Sequence, residues 1–155
     1  MSKILRKILF VCTGNTCRSP MARVLADSIF KEQGLALEAD SVGAFARNGT
    51  AASVNAVAVA YEDYRLDLAA HGAKMVSLPL VEESVLIIAV TQRHKELLLR
   101  EYSEHADKIH TFAEICEEAD AGDVDDPFGG DLEVYRACAA QMKKYLDKID
   151  WGKYL

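Results

Sequence analysis

The segment Ile8-Leu9-Phe10-Val11-Cys12-Thr13-Gly14-Asn15-Thr16-Cys17-Arg18-Ser19-Pro20 joins an unbroken apolar run to a helix start through a short polar loop. Ile8 to Cys12 has the pattern of a strand covered on both faces, as strands in parallel sheets are. Pro20 suits the first turn of a helix that runs to Gln33 and stops at Gly34. Backbone N–H groups in the loop between them can curl around an anion at the positive helix end.

Working outward, Val85 to Val90 is a second continuous apolar run, and with Ile8 to Cys12 it supplies the two central strands. Ala39 to Ala44 and Lys108 to Phe112 are flanking strands, the latter with Ile109 and Thr111 on one face and His110 and Phe112 on the other. Helices are expected over Pro20 to Gln33, Ala51 to Tyr64, after Thr91, and from Asp131 onward. In the last, Tyr135, Cys138, Met142, Tyr145 and Ile149 form one apolar stripe and Asp131 can cap the start. This alternation predicts an α/β fold: an open, doubly wound sheet of about four parallel strands flanked by helices, with the phosphate-binding loop after the first strand. Residues 1–155 read as a single domain, and Ala121 to Gly130 is the longest irregular stretch.

Eighteen basic against twenty-four acidic residues give a net charge of −6, which repels a phosphate backbone and argues against nucleic acid as a partner. The apolar run after Lys7 is shorter than the ~7 to 15 residues of a signal h-region, and nothing approaches the ~18 apolar residues of a membrane span. The expectation is a soluble cytoplasmic protein with no membrane partner. Its four cysteines are then thiols rather than a disulfide framework. No cysteine pair has zinc-ligand spacing, and His94, His105 and His110 are scattered, so neither metal nor cofactor is expected.

Cys12, at the end of the strand, is placed to act as a nucleophile toward phosphorus. Arg18, six positions on, can fold its guanidinium over the loop and grip two phosphate oxygens in a fork. Thr13, Gly14, Asn15, Thr16, Cys17 and Ser19 complete the cradle. The Ser19 hydroxyl can donate to the sulfur, Asn15 braces the loop through its amide, and Gly14 is expected to take a backbone conformation that other residues resist. Neither a Walker A pattern nor a GxGxxG is present.

Val11 to Pro20 resembles the signature of the low-molecular-weight protein tyrosine phosphatases, a family of about this whole chain length. The resemblance implies an Asp-Pro general acid before the final helix, and Asp126-Pro127 stands there with Asp125 beside it. Within the family the chain is most similar to bacterial protein arginine phosphatases, in Thr16 and in Asp126-Pro127-Phe128-Gly129-Gly130. Tyrosine-specific members usually carry a bulkier aliphatic residue at the Thr16 position. A smaller, polar Thr16 leaves room and a hydroxyl for the planar guanidinium of phosphoarginine, with Phe128 at the substrate position after the acid.

The implied reaction hydrolyses phosphoarginine in protein substrates through a phosphocysteine on Cys12, with phosphotyrosine as the alternative substrate. An acid must begin neutral, and partial burial or neighbouring Asp125 would favour that in Asp126. Cys17 is close enough in sequence to trap an oxidised Cys12 as a disulfide, which predicts redox sensitivity. His71 matches a family histidine that hydrogen-bonds near the site. Two other classes compete. Arsenate reductases share the loop but need two further relay cysteines, whereas residues 80–90 hold none and Cys116 and Cys138 are twenty-two positions apart. A non-catalytic phosphate-binding module would need neither Cys12 nor Asp126.

Overall fold

A computed structural model describes residues 4–116 and 122–155; Ala121, first residue of the expected irregular stretch, lies outside them. The four parallel strands are β1 (Arg6–Cys12), β2 (Leu37–Gly43), β3 (Ser84–Ala89) and β4 (Ile109–Thr111), in the spatial order β2-β1-β3-β4. The connecting helices are α1 (Arg18–Glu32), α2 (Val54–Tyr64), α3 (Leu78–Glu83), α4 (Gln92–Glu101), α5 (Phe112–Ile115) and α6 (Leu132–Lys148).

Both faces of the sheet are covered. Ile8, Phe10 and Cys12 of β1 enter a larger core with Leu25, Phe30, Val59, Met142 and Leu146 from α1, α2 and α6. Leu9 and Val11 enter a smaller one with Val81 and Leu98 from α3 and α4. A strand buried on both sides must be apolar at every position, which is why Ile8 to Cys12 shows no alternation.

Helix boundaries moved where tertiary contacts compete with local preference. α1 starts at Arg18, two residues before Pro20, so Arg18 and Ser19 form part of its first turn. It ends at the expected place: Gly34 takes φ 65°, and the N–H groups of Gly34 and Leu35 reach the carbonyls of Lys31 and Phe30 at 3.2 and 2.9 Å. α2 begins at Val54 because Ala51 is held in a bridge to Gly72. α3 was not expected. β4 stops at Thr111, and Phe112 is not a strand residue. Thr111 and Glu114 cap α5 reciprocally, and Phe112 stacks on Phe10 at 5.9 Å within the larger core. Asp131 caps α6, its Oδ1 accepting from Val134 N–H at 3.1 Å.

The last β2 residue, Gly43, pairs with Cys12. A Cβ there would sit 2.5 Å from the carbonyl oxygen of Thr13 and 2.9 Å from the backbone N of Asn15, so the loop after β1 fits against β2 only because Gly43 lacks one. Gly43→Ala should therefore cost ~1–3 kcal/mol, read as a lower urea midpoint. Gly72→Ala, whose Cβ would meet only Gly49 Cα at 3.8 Å, should stay near wild type. Equal midpoints for the two variants would contradict this account.

Candidate active site

The loop after β1 sits at the carboxyl edge of the sheet, beside the junction of its two inner strands, where open α/β sheets place ligands. At its base Cys12 Sγ lies 2.9 Å from Ser19 Oγ and 3.3 Å from the backbone N–H of Asn15. Asn15 is fully buried and holds φ 57°. Its Nδ2 donates to Ser19 Oγ at 2.8 Å and to Ser41 Oγ at 2.9 Å, and its Oδ1 accepts from Lys74 N–H at 2.9 Å. The left-handed residue of the loop is thus Asn15 and not Gly14: the carboxamide network holds a conformation that asparagine tolerates better than most side chains.

His71 Nε2 donates to the Asn15 carbonyl at 2.7 Å, so the expected histidine contact is present. Burial lowers its proton affinity, opposed by that hydrogen bond.

Cys12, Thr13, Gly14, Thr16, Cys17, Arg18, Asp126 and Phe128 line a cavity of about 270 Å³. Two predicted cradle residues, Asn15 and Ser19, do not line it; their side chains stand behind the wall and brace it. Phe128 is 78% exposed and Thr16 half-buried, so the rim is open while the floor is closed.

Arg18 is nearly buried and does more than face an anion. One Nη donates to the Val124 carbonyl at 2.8 Å, and the other lies 3.7 Å from Asp126 Oδ2. Val124 is itself buried and its N–H reaches the Val90 carbonyl at the end of β3, at 3.0 Å. The segment carrying Asp126 is therefore pinned to the sheet edge through Val124 and to the loop through Arg18. Asp126 stands at the surface: its side chain is 54% exposed, with Oδ1 accepting from Phe128 N–H at 3.1 Å across Pro127.

Cys17 Sγ is 3.2 Å from Ser53 Oγ and 3.3 Å from Tyr135 OH. Ser53 holds the Thr16 carbonyl through its N–H at 2.9 Å, so the start of α2 fixes the loop rim. The remaining thiols are core groups, as expected; burial raises Cys116 and pushes Cys138 up to about 12.

The family model for low molecular weight phosphotyrosine protein phosphatase matches residues 7–150. The chain belongs to this family. A protein-arginine-phosphatase of Geobacillus stearothermophilus is 38% identical over 143 residues, covering 92% of this chain and 93% of that protein. The crystal structure of a low molecular weight protein tyrosine phosphatase from T. tengcongensis superposes with a TM-score of 0.88 at 41% identity, over 92% of this chain and 96% of that one. A structure of the arginine phosphatase YwlE, a cysteine-to-serine mutant with a phosphorylated active-site serine, superposes at 0.87 with 34% identity, over 92% and 91%.

In this low-molecular-weight phosphatase the fold brings to the site a histidine that stands isolated in the sequence. His94, in the first turn of α4, is 6% exposed; its Nε2 lies 2.7 Å from Thr13 Oγ1 and its Nδ1 meets Thr91 Oγ1. The available signal was Thr91 three residues before it, a capping residue at the carboxyl end of an apolar strand.

Burial, reinforced by Arg18 and Arg93, lowers His94 from 6.5 to about 4. The unfolded chain therefore binds the ring proton at a higher pH than the folded one. The stability this buried neutral ring supports is complete above pH 6.5 and is lost as pH falls toward 4. The loss approaches ~3 kcal/mol at most. His71, lowered in the same direction, adds to the slope. Urea midpoints should fall more steeply across this window for wild type than for His94→Gln. Parallel profiles would show that His94 does not titrate between the two states.

Proposed function

We propose that this phosphatase removes phosphoryl groups from arginine side chains of proteins through a phosphocysteine. What supports the hydrolytic chemistry is the cavity itself: Cys12 Sγ between Ser19 Oγ and the Asn15 N–H at its base, with Arg18 in the wall and Asp126 3.7 Å from that guanidinium. Cys12 as thiolate attacks phosphorus; the S–P bond forms, the N–P bond breaks, and Asp126 gives its proton to the departing guanidine nitrogen. Ionised Asp126 then takes a proton from water as its oxygen attacks phosphorus, the S–P bond breaks, and phosphate leaves with Cys12 again a thiolate. Arg18 and the backbone N–H groups of Thr13 to Ser19 hold the equatorial oxygens throughout. Proteins bearing phosphoarginine are the partners, and the cytoplasm is the compartment in which this thiol stays reduced.

Substrate choice is assigned to the rim. Thr16 and Phe128 line the cavity mouth, and a threonine there offers a hydroxyl and less bulk than an aliphatic side chain. The tyrosine reading is favoured by the name of the T. tengcongensis relative. The deciding experiment compares kcat/KM on phosphoarginine and phosphotyrosine peptides for wild type and Thr16→Ile. Wild type should prefer phosphoarginine, and the variant should shift the ratio toward phosphotyrosine by about tenfold, ~1.4 kcal/mol. An unchanged ratio would remove Thr16 from selectivity.

The same loop supports redox sensitivity. Peroxide oxidises the Cys12 thiolate to a sulfenic acid and is itself reduced to hydroxide; Cys17 then displaces water to form a Cys12–Cys17 disulfide. In the reduced protein Cys17 Sγ is directed to Ser53 and Tyr135, so closure requires it to leave those partners. Peptide mass spectrometry after mild peroxide should find the Cys12–Cys17 link, with activity restored by dithiothreitol; sulfinic Cys12 without any link would refute the switch.

A further inference from the structure

Thr13 lines the cavity, yet its side-chain oxygen also faces His94 Nε2 at 2.7 Å, and no step of the two-stage hydrolysis uses His94. The ring has hydroxyl oxygens at both nitrogens, Thr13 Oγ1 at Nε2 and Thr91 Oγ1 at Nδ1. Thr91 Oγ1 also accepts the His94 backbone N–H, at 3.2 Å, as the cap of α4. A hydroxyl carries one hydrogen. The cap bond occupies one lone pair of Thr91 Oγ1 and leaves its single hydrogen available to Nδ1. A neutral imidazole that accepts at Nδ1 carries its proton on Nε2 and donates it to Thr13 Oγ1.

The consequence lies in the cavity. When Nε2–H donates to Thr13, the hydroxyl hydrogen of Thr13 is free to turn toward a bound anion. In the opposite tautomer that hydrogen is committed to Nε2, and Thr13 offers an anion only lone pairs. We propose that Thr91 and His94 form a tautomer lock that aims the Thr13 hydroxyl hydrogen at a phosphoryl oxygen. His94 is then a positioning residue for oxyanion binding, acting through Thr13. Burial, with Arg18 and Arg93 nearby, opposes a second ring proton, so the lock stays in its neutral form. The inference rests on the reading that this cavity holds a phosphoryl group.

The test compares wild type with His94→Phe, His94→Gln, Thr13→Val and the His94→Phe/Thr13→Val double variant. The readouts are the inhibition constant of inorganic phosphate and kcat/KM on para-nitrophenyl phosphate. Loss of one hydrogen bond to a charged group predicts about tenfold weaker phosphate inhibition, and a similar fall in kcat/KM, in His94→Phe and in Thr13→Val. The double variant should be no worse than either single one, because both remove the same donor. His94→Gln, with a side-chain N–H able to reach Thr13, should recover most of the loss.

Two-bond ¹H–¹⁵N correlation spectra of wild type should show His94 as the Nε2–H tautomer. An additive double variant, unchanged phosphate inhibition in folded His94→Phe, or an Nδ1–H ring would overturn the lock. If His94→Phe does not fold, Thr13→Val against His94→Gln and the ring spectra decide it. Wild type that neither turns over para-nitrophenyl phosphate nor is inhibited by phosphate would overturn the phosphatase reading itself, and with it the lock.

Discussion

A fully buried carboxamide, that of Asn15, sets the geometry on which the rest of the site depends. Both its nitrogen and its oxygen are engaged, with Ser19, Ser41 and Lys74 N–H, and this holds a left-handed backbone within a tight loop. Because Nδ2 donates into Ser19 Oγ, the Ser19 hydrogen is left for Cys12 Sγ at 2.9 Å or the Val42 carbonyl at 3.3 Å. The sulfur thus sits at the end of a chain of directed hydrogen bonds rooted in β2 and the segment around Lys74. Breaking any link leaves a buried polar group unpaired, which costs more than the bond itself contributes.

Arg18 extends that order to the opposite wall. With one Nη fixed on the Val124 carbonyl, the guanidinium is a fixed positive charge in the cavity wall that need not reorganise to meet an anion. Val124 couples the same arginine to the segment bearing Asp126, so the separation of Cys12 and Asp126 is set by core packing and not by loop chance. Asp126, exposed beyond that anchor, stands at the cavity wall with its carboxylate 3.7 Å from the Arg18 guanidinium.

Much of this was legible in the sequence wherever the cause was local. β1 and β3 announced themselves as continuous apolar runs, α6 as a stripe, and the end of α1 as Gly34. Cys12 to Ser19 could be read as a cradle because the cradle is contiguous. What could not be read arose from distance. His94 lies eighty-one positions from Thr13, and Ser53, Tyr135, Gly43 and Val124 acquire meaning only once folding brings them to the loop. The misassigned left-handed residue has the same origin: locally glycine is the easier candidate, but the partners that hold Asn15 come from β2 and from Lys74.

Floor and rim carry different constraints. Cys12, Ser19 and Asn15 share one hydrogen-bonded network and Arg18 is held by the Val124 carbonyl, all four 5% exposed or less, so substitution there disturbs the fold as well as the cavity. Thr16 and Phe128 face the mouth, and changing them disturbs little packing. The rim can therefore vary in sequence at less cost to packing than the floor. Relatives named for arginine and for tyrosine stand at 38% and 41% identity to this one chain. Overall identity averages over the whole fold, and two side chains at a cavity mouth contribute almost nothing to that average.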